Sequence, residues 1–483
     1  MTRMLSPLFF TALGLLAVLY AGTVIPVFVF ILSCVIVTAL GITGFLCKSA
    51  ELRKKGPALI CLGLGLFLGS ILSQSITGER YSFFTGTDPS RVAWFKGYLT
   101  ADDQKLHDDV SVCTLQLTAA ATKDRSFTAE AYGEIRLFIR HSTGVYAGQV
   151  IEVRGRLTGG QKNSAGTVSS WVDNKQIHIV GFHSWFSHAR YAVLQWCSAR
   201  IEKMGAPQNS LFKALFLGDR RGLDADLRQS LVNTGSVHLL AVSGLHVGIV
   251  FSFIALLLFP LPSKKIKIIV GSLFVLGYLF LVGAKPSLLR ASIMIVTAGI
   301  ASLLDRDFNP LNIFYLSLVI AVCIDPSSVF TLSFGLSYCA VFGILTVGRG
   351  LNSFLIPYLP AFVRVPLSFS LGAQCATLPL VLIYFKQVYV LSFLAALIMV
   401  PLVTVFVWGG IIFLAVSSIP FTPVYRSATV IFEFLYRAIF RISRFFSQIP
   451  VLITEWNNWY LAVFFLLGGM AFYIFYRRKH YEL

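Results

Sequence analysis

Long apolar runs restrict this chain more than any other feature; they fall at residues 5–20, 24–46, 58–72, 237–259, 266–282, 286–304, 311–324, 329–347, 365–385, 388–416 and 456–476. In hydrocarbon a backbone must satisfy its own hydrogen bonds, so a run of ~20 apolar residues predicts a transmembrane helix. The expected fold class is therefore a polytopic α-helical membrane protein with about eleven spans. A content of 56% hydrophobic against 13% charged residues excludes an ordinary soluble core. Pro401 interrupts the run 388–416, which can also fold as two half-helices. The first run has no small-residue cleavage site and leads into a second, which predicts a retained span.

One segment departs from this pattern. Between residues 77 and 183 the chain is polar, with β-like runs at 92–100, 110–120, 131–140, 150–157 and 176–180. Alternation is clearest where Ile151, Val153 and Gly155 face one way and Glu152, Arg154 and Arg156 the other. Five short strands with glycine-bearing turns predict a small all-β, OB-like domain inserted among the spans. The expected organisation is N-terminal spans (1–76), the β domain (77–183), amphipathic interfacial helices (184–235), a transmembrane core (236–420), and an amphipathic helix with a final span (421–483).

Short-loop charge sets the expected orientation. Lys48, Arg53, Lys54 and Lys55 follow the second run, and Lys264, Lys265 and Lys267 separate the fourth from the fifth. Both loops are expected in the cytoplasm, with the β domain on the outer side of the inner membrane. Eight runs then follow the β domain, so strict alternation returns the C-terminus to the outside, against the basic tail Arg477, Arg478 and Lys479. The net charge of +18 does not reside in the β domain, where residues 79–190 hold 13 basic and 11 acidic side chains. The eight cysteines include no CxxC pair, so no zinc cluster or redox pair is indicated. No GxxxxGK[ST] loop is present, and ATP-driven transport would need a separate motor.

Polar groups inside a span are costly and therefore informative. His238, Ser243 and His246 lie in the run 237–259. On an unbroken helix the two histidines are ~12 Å apart in rise and about 80° in rotation, too far to share a metal. Metal binding would require a break. Ser243 and His246, three residues apart, can interact on one face, but no acid nearby in sequence orients them for nucleophilic chemistry. Gly244 and Gly248 form a GxxxG spacing that permits close helix approach, with His246 between them. A second constellation is Lys285, Pro286, Ser287 and Arg290: a proline-started helix whose free N–H groups and two cations favour an anion such as phosphate. Upstream, Leu223, Leu227 and Leu231 recur every four residues and Gly235 closes the pattern, as in an amphipathic interfacial helix. Residues 425–446, aromatic and arginine-bearing, read as another.

The segment LGDRRGLDADLRQSLVNTGSVHLLAVSGLHVG, from Leu217 to Gly248, closely resembles the signature of the competence domain of ComEC-type DNA-internalisation proteins. KPSLLRASIM from Lys285, DPSSVFTLSFGLSYCAVFGI from Asp325 and AQCATLPLVLIYF from Ala373 resemble the family in the same order, over about residues 211–416. Gly218, Asp219, Gly235, Leu245 and Pro286 fall on this motif. Two departures stand out. Many members carry a C-terminal metallo-β-lactamase-like domain, which this sequence lacks, so strand degradation is not expected. The family tends to have an Asn before a late proline, where this chain has only apolar residues at 395–400.

The resemblance implies an inner-membrane channel that imports single-stranded DNA during natural transformation, with no enzymatic activity, cofactor or metal. The expected path residues are His238, Ser243, Gly244, His246, Gly248, Lys285, Ser287 and Arg290. The implied partners are single-stranded DNA, membrane lipid, a separate ATP-driven motor and a DNA receptor, and a pore built as a homo-oligomer is compatible. Two alternatives remain open: an intramembrane hydrolase using His238, Ser243 and His246, and a small-anion transporter using Lys285 and Arg290.

Overall fold

The computed structural model describes Thr11 and residues 83–84, 92–107, 110–121, 129–140, 144–155, 157–158, 168–240, 242–283, 285–304, 309–389, 391–417, 422–449 and 452–453. The apolar runs 5–20, 24–46, 58–72 and 456–476 lie outside these residues, apart from Thr11.

The β domain is built on strands β1 (Trp94–Leu99), β2 (Val110–Ala121), β3 (Glu134–Arg140), β4 (Gln149–Arg154), β5 (Val168–Asp173) and β6 (Ile177–Phe182). Alternation sets their faces, as expected: Phe95 and Leu99 of β1, Leu115 of β2, Ile135, Leu137 and Ile139 of β3, and Ile151 and Val153 of β4 all point into one apolar core. Burial in that core pushes the Cys113 thiol up to about 12. The strand order β6–β4–β1–β2–β3–β5 is antiparallel except for β3 and β5, which run parallel. Strand β5 was missed in the sequence, because V-S-S-W-V-D pairs one exposed tryptophan with small polar residues instead of alternating cleanly. Its position curls the sheet. In a flat sheet β5 and β6 would lie about 24 Å apart; yet the step from Asp173 to Ile177 reaches at most about 14 Å, so the two ends of the order must approach each other.

From β6 the chain enters helix α1 (Trp185–Ile201), then short helical turns from Gln208 to Leu217, and α2 (Ala225–Asn233). Helices α3 (Gly244–Leu257), α4 (Lys264–Val282), α5 (Pro286–Leu303), α6 (Pro310–Ile324), α7 (Leu332–Phe354), α8 (Ala361–Phe385), α9 (Ser392–Val416) and α10 (Thr422–Ser447) follow. Among the described residues five of these, α4, α5, α7, α8 and α9, are long and apolar enough to cross a membrane. Helices α3 and α6 have 14 and 15 residues and are shorter than a simple span. Pro401 lies within α9, which is one helix and not two halves, because its ring fits a helix whose neighbours supply the packing.

The direction of α10 differs from that of a helix lying flat at the interface. Its amphipathic pattern is real, with Phe432, Tyr436, Ile439 and Ser443 buried along one side. However, strands β7 (Gln387–Val388) and β8 (Leu452–Ile453) pair with each other and bring residue 452 back beside the start of α9. The 25 residues of α9 carry the chain about 37 Å away from that point. The 26 residues of α10 therefore run back toward it.

The closest helix approach uses glycines that the sequence reading passed over. A Cβ on Gly372 of α8 would lie 2.6 Å from the Gly348 nitrogen and 2.8 Å from the Gly343 oxygen of α7. Gly244 meets only the Ala291 Cβ of α5, at 3.2 Å, and a Cβ on Gly248 would meet nothing within 4 Å. The expected GxxxG seam is thus confined to Gly244. Replacing Gly372 with Ala is expected to destabilise the protein by about 1–3 kcal/mol, while Gly248→Ala leaves it unchanged; thermal unfolding of the two purified variants in detergent checks both.

Candidate functional site at the junction of the β domain and the helices

The run 237–259 is not one helix. After α2, Gly235 adopts a left-handed conformation (φ +70°) with Tyr389 packed where a side chain would stand. A single turn at Val237–Leu239 follows, and α3 starts only at Gly244. Ser243 supplies the cap of α3: its N–H donates to His246 Nδ1 at 3.3 Å, and its hydroxyl lies 3.4 Å from the same atom. An Nδ1 that accepts from a backbone N–H places the ring proton on Nε2. His246 is 1% exposed, and its Nε2 makes no hydrogen bond of normal geometry, although the Leu239 backbone lies beside the ring. His246 is therefore a capping residue at the head of a short helix, not a side chain projecting from mid-span. The break that metal sharing would require is present, but no group of three His, Cys, Asp or Glu that could hold a metal occurs among the described residues. His238 turns Nδ1 to the Gly235 carbonyl at 3.2 Å and is accessible from outside. The Ser243–His246 pair has its contact, and among the described residues no acid bonds Nε2.

The broken segment leaves carbonyls that a continuous helix would have used, and the motif's polar residues take them up. Arg220 donates from Nε to the Leu240 carbonyl at 3.0 Å. Ser287, in the first turn of α5, donates to the Val242 carbonyl at 3.1 Å. Lys285, the N-cap residue of α5 ahead of Pro286, places Nζ 3.5 Å from the Gly218 carbonyl. Gly218 has a left-handed backbone (φ +75°), and a Cβ there would collide with Lys285 Nζ. Both properties explain the glycine. Leu245 is half-buried in the first turn of α3 against the main core.

Arg290 sits elsewhere. It is 2% exposed, one turn into α5, donates to the Ser333 carbonyl of α7 at 2.8 Å and lies 5.4 and 5.5 Å from the Phe334 and Tyr338 rings. Its Nε has no hydrogen-bond partner. The structure thus separates Arg290, deep between α5 and α7, from Lys285 at the rim.

Around Lys285 the structure gathers charges that the sequence reading did not combine. Arg190 of α1 donates through both terminal nitrogens to Asp102 of the β domain, at 2.9 and 2.6 Å, and through Nε to the Phe280 and Leu281 carbonyls at the end of α4. Arg221 grips Asp219 through Nε at 2.8 Å and Nη2 at 2.7 Å. It also reaches Asp103 at 3.4 Å and the Tyr146 hydroxyl at 2.9 Å, both in the β domain. Burial alone would raise the Asp219 carboxyl; the Arg221 hydrogen bonds and charge outweigh it and hold it below the ordinary carboxylate range. The adjacent pairs Asp102–Asp103 and Arg220–Arg221, in two segments read as separate units, are the signal that sequence could have offered. Lys285 Nζ at the Gly218 carbonyl stands next to the Asp219 that Arg221 grips, and Arg220 is tied to the Leu240 carbonyl ahead of α3.

Because His246 caps α3, His246→Ala is expected to destabilise the fold by about 1 kcal/mol. Asn, which can accept from the same N–H, should recover most of that loss; thermal unfolding of both variants measures it.

The family model described as Competence protein matches residues 215–480. The chain is 30% identical to ComE operon protein 3 of Bacillus subtilis (strain 168), over 41% of this chain and 25% of that protein. It is 29% identical to an uncharacterized protein of Aquifex aeolicus (strain VF5), over 54% of this chain and 59% of that protein. It is 28% identical to Recombination protein 2 of Haemophilus influenzae (strain ATCC 51907 / DSM 11121 / KW20 / Rd), over 42% of this chain and 29% of that protein. These matches span from a quarter to about three-fifths of the relatives' lengths. No solved structure matches. The match covers more than half of the chain and contains α2, the capped break before α3 and the Lys285 rim, so the chain belongs to the Competence protein family.

Proposed function

We propose that the protein is an inner-membrane channel that admits single-stranded DNA during natural transformation, and is not itself an enzyme. The observation that carries this reading is the pair of arginine forks where the β domain meets the helices, Arg190 on Asp102 and Arg221 on Asp219 and Asp103, with Lys285 Nζ at the adjoining Gly218 carbonyl. A nucleic-acid backbone needs spaced cations at a place that stays wet on one side and narrows into the membrane on the other.

The β domain supports the reading despite its near-neutral charge. Strand β1 pairs with both β2 and β4, and β3 pairs in parallel with β5, which supports the reading of the domain as an OB-type barrel. On the outer face of β1, Trp94 stacks with His178 at 6.2 Å with Arg154 over its ring at 5.9 Å, and Tyr98 stacks with His183 at 4.1 Å. Aromatic faces with an arginine alongside suit unstacked bases without sequence preference. Strand β1 then leads through Leu99 to Asp102 at the junction.

On this reading the β domain is outside and the loop Lys264–Lys267 is cytoplasmic. If α10 counts as a crossing beside the eight apolar runs, the basic tail at 477–479 is expected in the cytoplasm with the other basic loops. A separate ATP-driven motor and a DNA receptor complete the system, and the pore can hold more than one copy. The small-anion alternative draws on Arg290, a buried cation whose Nε has no hydrogen-bond partner.

Deleting the gene should abolish entry of labelled DNA into the cytoplasm while surface binding persists; unchanged entry would sink the proposal. Lys285→Met is expected to lower uptake about tenfold, the worth of one charge-assisted contact, with normal accumulation of protein. Binding that falls steeply with salt for oligonucleotides, and is absent for inorganic phosphate or chloride, separates the channel from the anion transporter. Reporter fusions after residue 479 should be active on the same side as fusions in the loop at Lys264.

A further inference from the structure

We infer that the Arg190 guanidinium is a phosphate-binding site which the protein's own Asp102 carboxylate fills until a DNA strand displaces it. The inference rests on the DNA reading above and specifies where the strand passes from the β domain to the helices.

Arg190 is built to present its fork. Its Nε is committed to the Phe280 and Leu281 carbonyls, so the guanidinium plane is fixed to the end of α4 and both terminal nitrogens point at the β domain. Asp102 fills that fork with two oxygens, while its Oδ1 also accepts from the Ala147 N–H at 2.8 Å. Arg221 forms a second fork beside it, holding Asp219 next to Gly218, whose carbonyl lies 3.5 Å from Lys285 Nζ.

A guanidinium fork accepts a phosphodiester in the geometry it uses for a carboxylate, and both carry one negative charge. Exchange of one for the other leaves the charge balance at the junction unchanged. The side chain of Arg190 is 8% exposed beneath an Asp102 side chain that is 27% exposed, so the cation is covered until the aspartate moves. Asp103 is buried and its N–H donates to the Val145 carbonyl at 3.1 Å, so it is the Asp102 side chain that swings away. That movement exposes Arg190 without dismantling the Arg221–Asp219 pair at 2.7 Å. The device explains how a near-neutral β domain can feed a strand to a cationic rim, since the cations are present but shielded when no strand is bound.

The test is binding of an oligothymidylate to the purified full chain in nanodiscs, across a salt series. Asp102→Asn keeps the size of the side chain and the acceptor for Ala147 while removing the competing charge. The expected result is roughly tenfold tighter binding, with a log–log salt slope steeper by about 0.7 per added phosphate contact. Affinity and slope equal to or weaker than wild type would make the Arg190–Asp102 pair a structural clasp and overturn the inference. Should the variant not accumulate, hydrogen exchange in the wild-type protein decides: the Ala147 amide should exchange faster when the oligonucleotide is saturating, and unchanged or slower exchange overturns the site. Wild-type protein that binds no oligonucleotide at any salt removes the DNA reading itself, whereas wild-type binding with an unresponsive Asp102 removes only this inference.

Discussion

The break between α2 and α3 is the constraint on which the site depends. A carbonyl left unpaired at membrane depth costs several kcal/mol, and the segment from Gly235 to Ser243 strands several of them. The solution is distributed: Arg220 takes the Leu240 carbonyl, Ser287 that of Val242, and the Ser243 N–H finds His246. Lys285 leans on Gly218 in the same way. Residues that look like an exposed polar path in the sequence are therefore first the groups that satisfy an irregular backbone. The two roles are compatible, because each cation spends one donor on the backbone and keeps its charge.

The second organising contact joins the two architectures. Arg190 holds the β domain through Asp102 and the membrane helices through the α4 carbonyls, and Arg221 repeats the arrangement with Tyr146 and Asp103 on one side and Asp219 on the other. Gly144 belongs to this contact as well, since its left-handed backbone (φ +97°) leaves room for the Arg221 guanidinium where a Cβ would collide. Few apolar groups take part. A junction made of charged forks is specific in register, and each fork can hold another anion in place of its carboxylate.

Packing inside the helical region follows a different logic from the signature motif. The tightest backbone approach is between α7 and α8, through Gly343, Gly348 and Gly372, where the π-helical turn at Ile344–Gly348 shifts the face of α7 toward its neighbour. Arg290 is held close to that region by the Ser333 carbonyl and two aromatic rings. The rim around Lys285 and the buried guanidinium of Arg290 are thus two separate cationic places on one helix, related by a single turn of sequence but by different surroundings.

Hydropathy alone indicated a multi-pass membrane chain with a polar, sheet-forming segment inserted among the apolar runs, because the bilayer penalises polar side chains wherever they occur. Strand alternation determined most of the β core, and the order of charged motifs determined the family. The missed strand at Val168–Asp173, the break ahead of α3 and the return of α10 were decided by tertiary structure. In each case the local sequence is compatible with more than one conformation, and a partner distant in the chain selects among them: β3 for β5, Arg220 and Ser287 for the break, and Gln387–Val388 for the end of α10. The junction was illegible for the same reason. Asp102 and Arg190 are 88 residues apart, and nothing in either segment specifies the other until the β domain has folded and the α4 carbonyls have fixed the direction of the guanidinium.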